Sequence, residues 1–402
     1  MSLESKGFAE MIRHTADRLE NIVPSGIRKI NERALELERE GKKVLHFELG
    51  MPDFDTPEYI KEEACRSIWA GEVFYTSNYG FRELRDTIAS YLRSEKDIPA
   101  RGENILVTTG VAEALFDTMI TLLNPGDEIL VPDPVWMNYQ NIPRLLGARP
   151  VTYQLIEKNN FQPDIEEIRN SVTEKTRAIV IVSPNNPTGS ILGEKVLEQI
   201  AGLAEEKDLW IISDEIYERL VYGVPHTSIA SLPGMAERTI VLNGFSKAFS
   251  MTGWRIGYAA ADAGLIKKMN TVHQINTTSA VSFVQKAAIA ALSQENEEVE
   301  SMRKEYHRRR DYVYQEVNRI QGLHAGLPEG AFYLFINIKE LGVPAGEFAR
   351  ILLEEQLTAV VPGTVFGRNG EGHIRLSFAA SEEELKEGVS RRKKAAELLH
   401  KR

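Results

Sequence analysis

A lysine in small-residue company is the first place where the sequence could do chemistry. The stretch from Gly244 to Tyr258, GFSKAFSMTGWRIGY, sets Lys247 among glycine, serine and apolar residues rather than on a charged helix face. An amine is a nucleophile only when neutral, so a catalytic lysine needs a lowered pKa or a standing imine. Ser246 and Arg255 are close by and suit phosphate oxygens, and Gly253 and Gly257 allow close backbone approach. Lysine plus phosphate ligands fits a phosphorylated aldehyde held as a Schiff base, which describes pyridoxal 5′-phosphate. A plain phosphate site would use the same residue types.

Other segments offer what such a cofactor would need. In SDEIY (213–217), Asp214 follows an apolar run. It reads as a helix N-cap or as a carboxylate for the pyridine nitrogen, with Tyr217 on the same face if a helical turn follows. SPNNPTG (183–189) is an ordinary turn sequence, yet it follows AIVIV and could bring Asn186 to the cofactor's 3′ oxygen. In ILVTTGVAEALF, Gly110 stands between a strand and a helix, and the amides of Val111 and Ala112 suit an anion. Arg375, in HIRLSF, faces away from its apolar neighbours and could clamp an α-carboxylate. Trp136, at the start of an expected helix, could stack on a flat ring or fill a core. Tyr75, in a loop, has no evident partner.

The elements that would position these residues follow from hydrophobic periodicity. Apolar runs at 105–110, 128–134, 178–183, 209–215, 239–244 and 255–261 alternate with amphipathic segments at 111–123, 136–147 and 192–208. This order predicts an α/β domain with a mainly parallel sheet between helices, and ligands at the strands' carboxyl ends. From about residue 296 the texture changes to a long charged helix, strands near 331–338 and 373–378, and helices near 345–356 and from Ser381. The expected organisation is a segment 1–50, with a helix at 34–43 and a strand at 44–50, folding onto a small α+β domain (296–402), and a large domain (51–295).

The 402 residues are 43% hydrophobic and 26% charged, as in ordinary globular chains. A formal charge of −10 speaks against nucleic acid, and no apolar run is long enough to span a membrane. The basic clusters Arg308–Arg310 and Arg391–Lys394 read as solvated faces. An N-terminus without an apolar signal core and a single cysteine, Cys65, lead us to expect a cytoplasmic protein.

Taken together, FSKAFSMTGWRIGY, SPNNPTG, SDEIY and IRLSFAAS resemble the class I aminotransferases, fold-type I pyridoxal-phosphate enzymes. LGMPDFDTP (49–57), YTSNYGFRELR (75–85), NPGDEILVPDPVW (124–136) and PEGAFYLF (328–335) match the same pattern, so the likeness runs from about Val23 to the last helix. The nearest branch is the bacterial aspartate/aromatic one, and the large sheet is expected to be of the seven-stranded type. The resemblance implies that Lys247 forms the imine and moves the proton, Asp214 holds the pyridine nitrogen, and Tyr217 and Asn186 bind the 3′ oxygen. Ser246, Arg255 and the amides of Gly110, Val111 and Ala112 would bind phosphate, and Trp136 would stack on the ring. Arg375, with Asn186 and the Gly50 backbone, would hold the substrate carboxylate. Tyr75 would reach the phosphate of a neighbouring subunit, which implies a homodimer. One departure concerns substrate. A lysine common in the turn after the strand is here Ala112, which removes a positive charge that a dicarboxylate would use; the donor is left open among aspartate, aromatic and neutral amino acids, with strict aspartate specificity disfavoured and 2-oxoglutarate expected as acceptor. A C–S β-lyase on the same cofactor frame is the alternative.

Overall fold

Apolar runs buried on both faces pair into one large sheet. In the computed structural model, which describes residues 15–294 and 297–400, the first nine strands are β1 (Leu45–His46), β2 (Ile105–Thr108), β3 (Glu128–Asp133), β4 (Arg149–Ile156), β5 (Gln162–Pro163), β6 (Thr176–Val182), β7 (Trp210–Asp214), β8 (Thr239–Gly244) and β9 (Gly257–Ala260). Strands β2 to β9 form one sheet in the order β2-β9-β8-β7-β6-β3-β4-β5. The run β8-β7-β6-β3-β4 is parallel. Strand β9 lies antiparallel between β2 and β8. Seven strands make up the body of the sheet, and β5 adds a two-residue antiparallel edge.

Side chains alternate across the sheet with a period of two. Ala178, Val180 and Val182 of β6 face one core, shared with Leu115 and Met119 of helix Val111–Leu122 and Met269 of helix Ala263–Asn276. Ile179 and Ile181 face the other, against Leu197 and Ile200 of helix Glu194–Glu206. Helices on both faces keep the parallel strands dry, and the carboxyl ends of β6, β7 and β8 remain as the place where polar side chains can meet.

A second, antiparallel sheet follows. It comprises β10 (His324–Ala325), β11 (Tyr333–Asn337), β13 (Val361–Pro362) and β14 (His373–Ser377) in the order β10-β11-β14-β13, while β12 (Thr358–Ala359) lies outside it. Helices Glu297–Val317, Ala345–Gln356 and Glu382–His400 accompany it. The N-terminal region joins this unit. Strand β1 pairs in parallel with β12, and Leu45 and Phe47 enter its core. The helix expected at 34–43 runs instead from Gly26 to Arg39, and the strand expected over 44–50 is only Leu45–His46. The helix packs Ala34 and Leu37 against Leu353 and Ala359, and Arg33 grips Glu354 through two hydrogen bonds of 2.7 and 2.8 Å. The expected boundary at residues 295 and 296 lies outside the described residues.

The two basic clusters are not simply solvated faces. Arg309 is buried, with Asp53 at 2.7 and 2.9 Å and the Phe54 ring at 5.1 Å. Arg310 is buried and donates to the carbonyls of Tyr222 and Pro328. Arg392 is fully buried over the Phe47 ring at 5.4 Å, and burial pushes its pKa down to about 9. Helical periodicity marks which positions turn inward, but a mixed-charge composition hides them when the inward residue is arginine, whose stem and flat fork pack like a hydrophobe. Phe47 ties these layers together. Phe47→Ala is expected to cost about 3–5 kcal/mol, checked as a lowered midpoint in urea unfolding.

Candidate active site

Strand β8 ends at Gly244, β9 starts at Gly257, and the loop between them carries Ser246, Lys247 and Arg255. Gly244 and Gly257 face each other across the pair, so close that a Cβ on Gly244 would lie 2.8 Å from the Gly257 Cα. Lys247 Nζ donates to the Gly50 carbonyl at 2.5 Å. Burial, helped by the charges of Arg375 and Arg255, pushes the amine down to about 8. Much of it is therefore neutral near pH 8, as a nucleophile must be.

The loop closes against the turn after β2. Gly110 takes a φ of +95°, and a side chain there would press on the Arg255 guanidinium, 2.6 Å from Nη2. A Cβ on Gly257 would stand 2.8 Å from the Val111 nitrogen. The first amides of helix Val111–Leu122, including that of Ala112, and Arg255 are thus brought together, with the buried Ser246 on the same loop. Arg255 is aimed by bonds to the carbonyls of Thr252 (3.1 Å) and Thr109 (3.2 Å). Free amides at a helix start beside a guanidinium are a phosphate cradle.

Asp214 ends β7 and is buried. Burial raises its pKa to about 6, against hydrogen bonds from the Tyr139 hydroxyl and the Ile216 amide. The residues after it form a turn rather than a helix, and this brings the Tyr217 hydroxyl within 2.7 Å of that of Tyr333. In the 183–189 loop, Asn185 holds the turn by accepting from the Thr188 amide and hydroxyl, which leaves Asn186 free to face β14. There Asn186 Oδ1 accepts from Arg375 Nη1 at 2.9 Å, while Nη2 reaches the Glu48 carbonyl. Arg375 is fully buried over the rings of Tyr333 and Phe366, at 4.4 and 4.9 Å. Its Nε has no partner, and Gly50 leaves room for the Tyr333 hydroxyl.

The structure therefore brings together Lys247, Asp214, Tyr217, Asn186, Arg375 and the Gly50 carbonyl, with Ser246, Arg255, Gly110, Val111 and Ala112 at the adjoining strand ends. Trp136 precedes the helix Asn138–Leu145 instead of beginning it, is partly buried, and meets Tyr139 edge-on at 5.9 Å. Tyr75 stands apart, 89% exposed. Sequence reasoning missed Tyr139 and Tyr333, whose hydroxyls bond residues 75 and 116 positions away. It also missed Glu113, which accepts from the Thr109 amide and hydroxyl and pairs with the buried His273 at 3.2 Å. Against the opposing effect of burial, bonds from His273, Thr109 and Thr277 hold Glu113 at about 2. The spacing of Glu113 and Asp117 on one helix was the available signal.

These residues fit pyridoxal 5′-phosphate on structural grounds. A depressed lysine, a buried carboxyl, a guanidinium with an orphaned nitrogen, and glycines at 110 and 257 whose lack of a side chain lets Arg255 and the Val111 amide close together are complementary to its aldehyde, ring nitrogen, substrate and phosphate. The chain matches the aminotransferase class I and II family over residues 42–391. It is 44% identical to an aspartate aminotransferase of Pyrococcus abyssi and 43% identical to an aromatic-amino-acid aminotransferase 2 of Thermococcus litoralis, in each case over 94% of this chain and 97% of the relative. The aspartate aminotransferase of Thermus thermophilus solved with maleate superposes with a TM-score of 0.91 at 39% identity, covering 96% of this chain and all of that one. The fold is that of a fold-type I pyridoxal-phosphate enzyme. The chain belongs to the class I and II aminotransferases, and it is a pyridoxal-phosphate-dependent transaminase.

Because the amine reacts only when neutral, loading of cofactor-free enzyme should accelerate as pH rises to about 8 and level off above it. Stopped-flow absorbance across the range checks this. A rate still climbing at roughly pH 10 would be that of an ordinary solvated lysine.

Proposed function

We propose that this transaminase works on neutral and aromatic L-amino acids, with Lys247 as its covalent and proton-transferring residue and 2-oxoglutarate as an acceptor. The convergence of Asp214 at the end of β7 and Lys247 just after β8 with the buried Arg375 of the second sheet is the observation that carries this reading. When bound, pyridoxal 5′-phosphate supplies an aldehyde for the amino group and a protonated ring that takes up electrons from Cα. Arg375 grips the donor's α-carboxylate through its fork, with Asn186 keeping the guanidinium in plane. Asp214, ionised at neutral pH once a ring N–H stands against it, keeps the pyridine nitrogen protonated, and the Tyr139 hydroxyl fixes its angle. Tyr217 and Asn186 serve the 3′ oxygen. Arg255, Ser246 and the amides from Gly110 to Ala112 hold phosphate, and Trp136 covers the ring. Lys247, once free as a neutral amine, takes the Cα proton and returns it at C4′. The oxo acid leaves before the acceptor enters, so the order is ping-pong.

The turn Gly110–Val111–Ala112 bears no cation for a distal carboxylate, which supports the donor class. The relatives named above bear both aspartate and aromatic names, so a shift between the two lies within the family's range. Nothing supports the lyase alternative. In an absorbance titration of the loaded enzyme with single L-amino acids and no acceptor, phenylalanine should convert the spectrum at lower concentration than aspartate. Ala112→Lys should raise kcat/KM for aspartate up to about fivefold, the worth of one modest ion pair. Pyruvate accumulating from sulfur amino acids without spectral conversion would overturn the transaminase mechanism.

We infer a homodimer in which Tyr75 is given to the neighbour's phosphate. Trp69, Phe74 and Tyr75 are 88%, 80% and 89% exposed. Their loop is pinned rather than loose, since Ser282 bonds the Glu72 carbonyl, Gln285 bonds Thr76 and Asn78 bonds the Thr278 carbonyl. A fixed apolar surface of this kind supports an interface. Phe74→Asp should yield monomers by light scattering and weaken cofactor retention, and a dimer of unchanged strength would refute the assignment. The pairing of β1 with β12 supports the division into a segment 1–50, a large domain 51–295 and a small domain 296–402. No helix among the described residues is long and apolar enough to cross a membrane, and a lone free cysteine supports a cytoplasmic setting.

A further inference from the structure

We propose that Glu48 is a positioning residue for the substrate clamp: its buried side chain fixes the main-chain carbonyl that aims Arg375. This rests on the reading of Arg375 as the carboxylate clamp. Strand β1 ends at His46, so residues 47–50 have no sheet ladder of their own, yet their carbonyls hold two essential cations. The Glu48 carbonyl accepts from Arg375 Nη2, and the Gly50 carbonyl accepts from Lys247 Nζ. Phe47 is stitched on both sides, its amide to the Ala359 carbonyl at 3.0 Å and its carbonyl to the Ser377 amide at 2.9 Å. Between there and Gly50 the one polar side chain in the sequence Glu48-Leu49-Gly50 is that of Glu48.

Glu48 is fully buried. Its Oε1 accepts from Asn31 Nδ2 at 2.9 Å and lies 2.9 Å from His46 Nδ1. His46 also lies 3.2 Å from Glu38, and its bond to Glu48 raises it to about 9, so it is a cation in this cluster. Oε2 is buried without any partner. Burying a half-satisfied carboxyl is unfavourable compared with an apolar side chain of the same size. Packing alone would not call for it. What the carboxyl adds is direction. It fastens the coil to helix Gly26–Arg39 through Asn31, and its charge also supports that of the buried Arg375. With Nη1 on Asn186 and Nη2 on the Glu48 carbonyl, the fork has one orientation, and a turn of that peptide would swing it away from the substrate.

The test uses the loaded enzyme and two probes, L-phenylalanine and 2-phenylethylamine, which is the same molecule without the carboxylate. Glu48→Ala should weaken phenylalanine at least tenfold by spectral titration while changing the amine's reaction less than twofold. Glu48→Gln, which keeps an acceptor for Asn31, should restore most of the loss, and Asn31→Ala should lose severalfold without disturbing the core should Glu48→Ala fail to fold. Combined with Arg375→Ala, Glu48→Ala should add nothing. Equal losses for both probes, or additive losses in the double variant, would overturn the inference. If Arg375→Ala alone leaves phenylalanine binding unchanged, the clamp reading fails instead.

Discussion

Keeping three ionisable groups out of water is the constraint on which the rest of this structure depends. Lys247 is useful because burial and two neighbouring arginines make its protonated form expensive. Asp214 is held above the usual carboxylate range by burial, against hydrogen bonds from Tyr139 and Ile216. Arg375 lies between aromatic faces with a nitrogen unspent. Each in isolation would be a defect. Together, and with the right ligand between them, the penalties cancel, so the site selects its cofactor and substrate by the charges they supply.

The folding solution is to put these groups where backbone order ends. Five parallel strands covered on both faces must release their chain at one edge, and Asn186, Asp214 and Lys247 all follow within a few residues of a strand's last ladder bond. Arg375 comes from a different sheet, held to this edge by Asn186 and by the coil before Gly50. The N-terminal segment therefore joins the two cations as well as the packing, because the Gly50 carbonyl accepts from Lys247 and the Glu48 carbonyl from Arg375.

Much of this was legible in the residues. The strands that bear the site are continuous apolar runs, and helix-start glycines and post-strand polar residues mark its rim. Strand β4 was not anticipated because Arg149–Ile156 contains a proline and alternates toward solvent at one end, which hides it among loops. The short pairings β1–β12 and β4–β5 carry no periodicity at all. The hydroxyls of Tyr139 and Tyr333 and the carboxyl of Glu48 were invisible for another reason. Each looks like an ordinary helix, strand or coil residue until a distant segment supplies its partner. Local composition records burial well and records who meets whom only by accident.

The reversed strand β9 has a further consequence. In a wholly parallel sheet every chain arrives at the working edge and departs from it into a helix, so residues that precede a strand are stranded at the far side. Because β9 runs backwards, its first residue lies at the working edge beside the last residue of β8, with Gly257 against Gly244. Lys247 and Arg255 consequently hang from one short loop whose two feet are clamped together. The chain between Lys247 and Arg255 is thereby held at both feet by one strand pair. A spacing fixed at both feet in this way is one that a wholly parallel sheet could not give to two residues of one loop.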